Sequence, residues 1–305
     1  MKAKYLLSII VVCAAFIAPL FLESEYLLYS LLLVTTNMTL AVSWFLIGGM
    51  CGQILLGQAA FFGLGAYTTV LLFRENLQFW LAILVSGATA ALLALAMTPL
   101  FKLRGVYFAV GSFFLNVLAK EVAINWVDVT GGSKGIGFQP PFPSYLHYYY
   151  MSLATTLSIV YLSYKIYRSK FGFAIRAIKG GEDVAASLGI RPITYKICTL
   201  IITAVFTGVA GGIYSLSLAY IEPQGSFSMQ WALNGPFMAI VGGLRNLIGP
   251  LLGALLLTTL NQLLVIAGGL HMLFSGLILI VVIRFAPAGL FGLIEAIARK
   301  LRHTF

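Results

Sequence analysis

Few side chains here could do acid, base or metal chemistry, and they do not cluster. Among 305 residues there are 3 histidines, 3 cysteines and 9 acids. His147, His271 and His303 are scattered, and Cys13, Cys51 and Cys198 each fall in or beside an apolar run. Neither set has the spacing of a metal site or a disulfide framework, so the cysteines read as small buried hydrophobes. No GxxxxGK[ST] phosphate loop occurs in the sequence. What remains is a set of neutral hydrogen-bonding groups inside apolar runs: Asn37, Gln53, Gln58, Asn116, Asn234, Asn261 and Gln262. Such groups join neighbouring membrane helices at about 0.6 kcal/mol each. As a set they are also the candidates for lining a path along which a polar, uncharged or zwitterionic solute crosses apolar walls.

A second candidate is the basic, amphipathic insert GFAIRAIKGGEDVAASLGI (172–190), which places Glu182 and Asp183 side by side between long apolar runs. Gly180-Gly181 breaks any helix arriving from the preceding segment. Glu182 and Asp183 then fall in the first turn of a new helix, where negative charge meets the positive end of the helix dipole. Val184 and Leu188 share a face four residues apart. Gly189 can take the left-handed conformation that ends a helix, and Pro192 follows. The pattern predicts a short, sharply capped helix with one apolar face, suited to touching a soluble partner. The bland alternative is an ordinary interfacial loop.

The elements that must position these groups are membrane helices. Hydrophobic residues make up 60% of the chain and charged residues 9%, against about 25% charged in a soluble domain. Runs of about 20 apolar residues can cross a bilayer as helices. They recur from end to end, which predicts an all-α, polytopic membrane protein forming a single transmembrane domain over 1–305. The runs are apolar on all faces, unlike the alternating strands of a membrane barrel. Segments are drawn at roughly 5–22, 27–47, 52–73, 78–100, 105–125, 148–167, 194–219, 226–243, 247–267 and 270–285, about ten in all. The first begins with Lys2 and Lys4 and is too long for a secretion signal, so it is expected to be retained. The third, GQILLGQAAFFGLGAY (52–67), and the eighth, FSMQWALNGPFMAIVGG (227–243), are Gly-rich or Pro-containing and are expected to be interrupted and inward-facing. Paired interrupted segments often mark a transport path between inverted repeats, which puts Gln58 and Asn234 first among the path candidates.

Charge sets the orientation. With a cytoplasmic N-terminus, ten spans leave only Arg74, Lys120 and Lys134 of the 19 Lys and Arg on the outer side, as the positive-inside rule requires. Arg299, Lys300 and Arg302 put the C-terminus inside as well. The net charge of +10 is then topology plus attraction to anionic membrane lipid, with no nucleic-acid partner needed. GGSKGI (131–136) reads as an outward turn or, alternatively, a docking surface.

The insert resembles the coupling loop of bacterial ABC-importer permeases, whose pattern of an acid, paired alanines and a glycine is met by Glu182, Ala185, Ala186 and Gly189. GQILLGQAAFFGLGAY (52–67), KLRGVYFAV (102–110), WVDVTGGSKGI (126–136) and FAPAGLFGL (285–293) narrow this. Together they resemble the M-type permeases of branched-chain amino-acid importers, a branch that includes urea and short-amide systems. Leu55 departs from a frequent serine. The resemblance implies an inverted-repeat ABC-importer permease in the bacterial inner membrane, with a coupling loop at 168–193 whose contact residues are Glu182, Asp183, Val184, Ala185, Ala186, Leu188 and Gly189. It also implies a second permease subunit of different sequence, two cytoplasmic ABC ATPases that use ATP and Mg2+, and a periplasmic solute-binding protein. This chain itself would bind no cofactor and be no enzyme.

An ion-coupled secondary transporter is the competing class. It usually needs a charge inside the membrane. No drawn span holds an acid near its centre, Glu121 and Asp128 being near the outer end of the fifth. Nor would it explain the capped acidic helix.

Overall fold

The apolar runs fold as helices because inside lipid only helices and closed barrels pair every backbone group. The computed structural model describes residues 13–103, 105–266 and 289–292. Residues 5–12 of the first drawn span, all of the tenth, and the charges at Lys2, Lys4, Arg104, Arg284, Arg299, Lys300 and Arg302 lie outside the described residues. Helices α1 (Glu25–Trp44), α2 (Gln58–Arg74), α3 (Phe79–Ala96), α4 (Val106–Asn125) and α5 (Tyr145–Arg168) precede the insert. The insert holds α6 (Lys170–Gly180) and α7 (Glu182–Ser187), and α8 (Pro192–Leu216), α9 (Met229–Gly242) and α10 (Ile248–Ile266) follow it. By length and composition Glu25–Met50, α3, α4 and α8 can each cross a membrane, and Ile248–Leu263 is a shorter apolar helix.

A π-helical turn, Phe45–Met50, extends α1 beyond the drawn boundary. The third span is interrupted as its glycines suggest, since residues 51–57 are irregular and α2 starts only at Gln58. Protein groups satisfy this irregular backbone. Trp44 Nε1 donates to the Leu55 carbonyl at 2.7 Å and the Leu56 amide donates to Ser112 Oγ at 3.1 Å. Leu55 is fully buried there. The eighth span differs in detail from its expected interruption: α9 is short, with Pro236 inside a helix that continues past it. Proline removes one backbone bond and crowds the preceding turn, which a membrane helix packed among neighbours can tolerate. The segment 168–193 is also more ordered than a loop around one short helix, because α6 packs Ala174, Ile175 and Ile178 inward.

Small residues let the backbones touch at the centre. A Cβ on Gly65 of α2 would lie 2.1 Å from the Gly208 carbonyl of α8, and one on Gly211 would lie 2.1 Å from that of Phe62. With lipid outside there is no hydrophobic gain in joining apolar faces, so this close packing is what holds such helices together. Hydroxyls stitch α1 to α5: Thr39 and Thr156 meet at 2.9 Å, and Thr156 also donates to the Thr35 carbonyl at 2.9 Å. The first span is central, with 78% of its apolar window buried, against 33% for α3 and 28% for α4. Leu84, Leu92 and Phe114 accordingly point outward, as lipid-facing side chains should.

At the end of the bundle away from the insert, β1 (Ile136–Gly137) pairs antiparallel with β2 (Tyr220–Ile221). This ties the GGSKGI turn to the end of α8, and Gly131, Gly132 and Gly135 supply its positive φ angles. The Tyr220 hydroxyl donates to the Lys134 carbonyl and fixes the turn further.

Candidate coupling helix and solute path

Ser169 opens the insert by capping α6, its hydroxyl accepting from the Gly172 amide at 3.2 Å. Glu182 and Asp183 occupy the first turn of α7. The far end of α7 closes as the sequence requires. Gly189 has φ +81°, its amide donates to Ala186 at 2.9 Å, and the Ile190 amide reaches back to Ala185 at 3.1 Å. Wrapping of this kind satisfies the last carbonyls of a helix. Ala185 is fully buried and seats the helix on the bundle, whereas Val184 and Leu188 are 65% and 71% exposed. Ala186 and Gly189 are also exposed. Val184 and Leu188 thus leave an apolar pair exposed on and just beyond a short helix that Ala185 seats on the bundle.

Two ammonium groups hold the insert. Lys179 Nζ donates to the Gly49 carbonyl at 2.6 Å, at the end of the π-helical turn. Lys196, on the first turns of α8, is fully buried and ion-paired with Glu182. Sequence reasoning counted Lys196 as one more cytoplasmic base. Cys51 lies against this pair, and burial pushes its thiol up to about 12, with Lys196 opposing the shift. Such a thiol stays neutral and unreactive.

At the other end α1, α8, α9 and α10, with the segment joining α8 to α9, line a half-open cavity of about 390 Å3. Its wall carries a chain of neutral donors and acceptors. Asn234 Nδ2 donates to Asn37 Oδ1 at 3.0 Å, and Asn37 Nδ2 donates to Thr258 Oγ1 at 3.1 Å. Gln230, Asn261 and Gln262 join the lining, and Tyr29, Tyr214 and Trp231 form an aromatic side. The Tyr29 and Tyr214 hydroxyls meet at 3.1 Å. None of these lining groups is charged, so the cavity can exchange hydrogen bonds with a polar solute without fixing an ion.

Of the path residues expected from sequence, the structure brings together Asn37, Asn234, Asn261 and Gln262. It places Gln53, Gln58 and Asn116 elsewhere. Gln58 is fully buried, with Nε2 donating to the Leu40 carbonyl at 3.0 Å and to Thr207 Oγ1 at 3.3 Å. Its Oε1 faces Gly235 and has no partner among the described residues. Asn116 donates to the Phe227 carbonyl at 3.1 Å. Gln53 is buried in the irregular stretch 51–57, beside Lys179 of the insert. Thr258, Gln230 and the aromatic wall went unseen because single hydroxyls and aromatics in a membrane helix carry no local signal. No metal-binding cluster occurs among the described residues.

A glycine-packed bundle of apolar helices, with a short capped helix at one end and a neutral polar cavity at the other, is the architecture of a polytopic helical membrane protein. The chain belongs to the family described as branched-chain amino acid transport system / permease component, which matches residues 26–283. It is thus an ABC transporter permease, a kind of subunit that is not itself an enzyme, and the resemblance read from its motifs is borne out. It is similar to the high-affinity branched-chain amino acid transport system permease protein LivM of Escherichia coli (strain K12), at 24% identity over 274 residues, 79% of this chain and 64% of that protein. The LivM protein of Salmonella typhimurium is 25% identical over 277 residues, with the same shares. The chain therefore spans less than two thirds of the length of these relatives. The nucleoside ABC transporter permease protein NupC of Lactococcus lactis subsp. cremoris is 26% identical over 167 residues, 52% of this chain and 51% of that protein. Among solved structures, PsaBC from Streptococcus pneumoniae in complex with Fab superposes with TM-score 0.48 at 13% identity, over 87% of this chain and 94% of that one.

Proposed function

We propose that this chain is the membrane subunit of an ATP-driven importer that carries branched-chain amino acids across a bacterial inner membrane. The observation that carries the reading is α7, a short capped helix that with its C-cap presents Val184 and Leu188 outward from a bundle holding a neutral polar cavity at its opposite end. In this reading α7 and Gly189 seat in a groove of a cytoplasmic ABC ATPase, which binds ATP and Mg2+. One ATPase lies beneath this chain and another beneath a partner permease of different sequence. Both termini are cytoplasmic, and a periplasmic binding protein delivers solute at the far end. There the pinned GGSKGI turn stands near a surface hollow lined by Arg74, Trp80, Phe138 and Gln139.

Asn37 and Asn234 act as path residues. A neutral lining suits a zwitterion whose charges largely cancel, and an unpaired ion would lose its hydration with nothing fixed to offset the loss. The same lining suits urea or a short amide. The aromatic side formed by Tyr29, Tyr214 and Trp231 favours a second reading, a planar cargo such as a nucleoside, in line with the nucleoside permease among the relatives. Competition for uptake by leucine, urea and a nucleoside in reconstituted vesicles separates these readings. Leucine competing alone supports the first.

A further inference from the structure

Among the described residues Lys196 is the one charged side chain that the fold buries completely. An ammonium removed from water persists only with a partner, and the partner here is Glu182, whose side chain keeps 24% of its exposure. The Phe101 ring centroid lies 5.9 Å from Lys196 Nζ, which leaves the carboxylate as the principal stabilising group. Glu182 therefore points into the bundle. The outward surface of α7 is left to Val184 and Leu188.

The pair joins the insert to a helix that also reaches the cavity. From Lys196 to Tyr214, which lines the cavity, α8 runs 18 residues, about 27 Å at 1.5 Å per residue. The second tie, Lys179 on the Gly49 carbonyl, joins the insert to the end of the span that carries Asn37 and Tyr29. Thr203 of α8 donates to the Ser43 carbonyl at 3.0 Å, so these two helices are themselves cross-linked. Both membrane helices gripped by the insert are thus cavity walls.

We propose that Lys196 is a positioning residue for transport: its buried ion pair with Glu182 locks the coupling helix to α8, so that a displacement of α7 is carried to the cavity wall. The inference rests on the reading of α7 as an ATPase contact. Glu182 then works by holding its helix to the membrane domain, and the ATPase touches the apolar face.

The test uses the complete transporter with its ATPases, partner permease and binding protein in proteoliposomes, and reads solute moved per ATP hydrolysed. Lys196→Met should lower this ratio about tenfold, within the range usual for energetic coupling between sites, while ATPase co-purification, basal hydrolysis and the thermal midpoint stay at wild-type values. Lys196→Arg, which keeps the charge, should retain most of the ratio. Glu182→Gln strands the ammonium and should lower both the ratio and the thermal midpoint. Combined with Lys196→Met it should do no more harm than the worse single change, as expected of groups acting as a unit. An unchanged ratio in Lys196→Met, multiplying losses in the double variant, or a loss matched by falling co-purification and thermal midpoint would each overturn the proposal. Failure of the ATPase reading would show separately, as a wild-type complex that hydrolyses ATP without moving solute.

Discussion

Gly189 offers the cleanest perturbation of the coupling helix, because its environment separates backbone strain from crowding. Its φ is +81° and a Cβ placed there meets nothing within 4 Å. Any penalty on substitution is therefore conformational. Left-handed geometry costs an L-residue about 1–2 kcal/mol, so Gly189→Ala should lose about 1 kcal/mol and the β-branched Gly189→Val about 2. Asn tolerates this region and should lose a few tenths of a kcal/mol, a rough figure on the same scale. At about 1.4 kcal/mol per factor of ten, the equilibrium constant for closing the end of α7 falls roughly fivefold for Ala and roughly thirtyfold for Val. ATP-dependent uptake by the reconstituted transporter should follow the order Gly, Asn, Ala, Val, with an unchanged thermal midpoint, since α7 contributes little to the core. Gly65→Ala is the contrasting control: its Cβ would sit 2.1 Å from the Gly208 carbonyl, so it should lower the thermal midpoint. If Gly189→Asn is as damaging as Gly189→Val, or all variants transport normally, the cap argument is wrong.

Orientation is checked with single cysteines and an impermeant reagent. Ser24, Ser133 and Gln224, all exposed, should label from outside and exposed Ser187 should not. Ser226 is buried and is a poor probe. The structure also separates two changes that look alike in sequence. Asn234→Leu should slow uptake of every accepted solute by a similar factor without altering their order, measured as initial rates. Gln58→Leu, which removes a buried amide bonded to Leu40 and Thr207, should instead lower the thermal midpoint by a stability loss of about 1–3 kcal/mol.

The spans among the described residues were legible because a membrane helix announces itself by length and apolarity, and the one element lipid also allows, the closed barrel, needs an alternating pattern these runs lack. The short capped helix at Glu182–Ser187 was legible for a different reason: Gly181, Glu182, Gly189 and Pro192 are local signals, each acting within a turn of its neighbours. The helix Lys170–Gly180 was present in the spacing of Ala174, Ile175 and Ile178 but reads as loop when basic residues dominate. Lys196 could not be picked out. A lysine at the end of a span is what charge topology expects, and its partner lies 14 residues away across a turn. The cavity was partly legible. Apolar context marked Asn37 and Asn234, yet the same criterion marked Gln58 and Asn116, and only the packing of α1, α8, α9 and α10 decides which amides share a space.

The central claim is that solute crosses this chain only when ATPases act on its coupling helix. The direct measurement is uptake of labelled leucine into proteoliposomes containing this chain, its partner permease, the ATPases and the binding protein, with and without ATP. Accumulation that requires ATP and the binding protein, and that isoleucine and valine compete away, is the expected result. Accumulation by this chain alone under a sodium or proton gradient would contradict it.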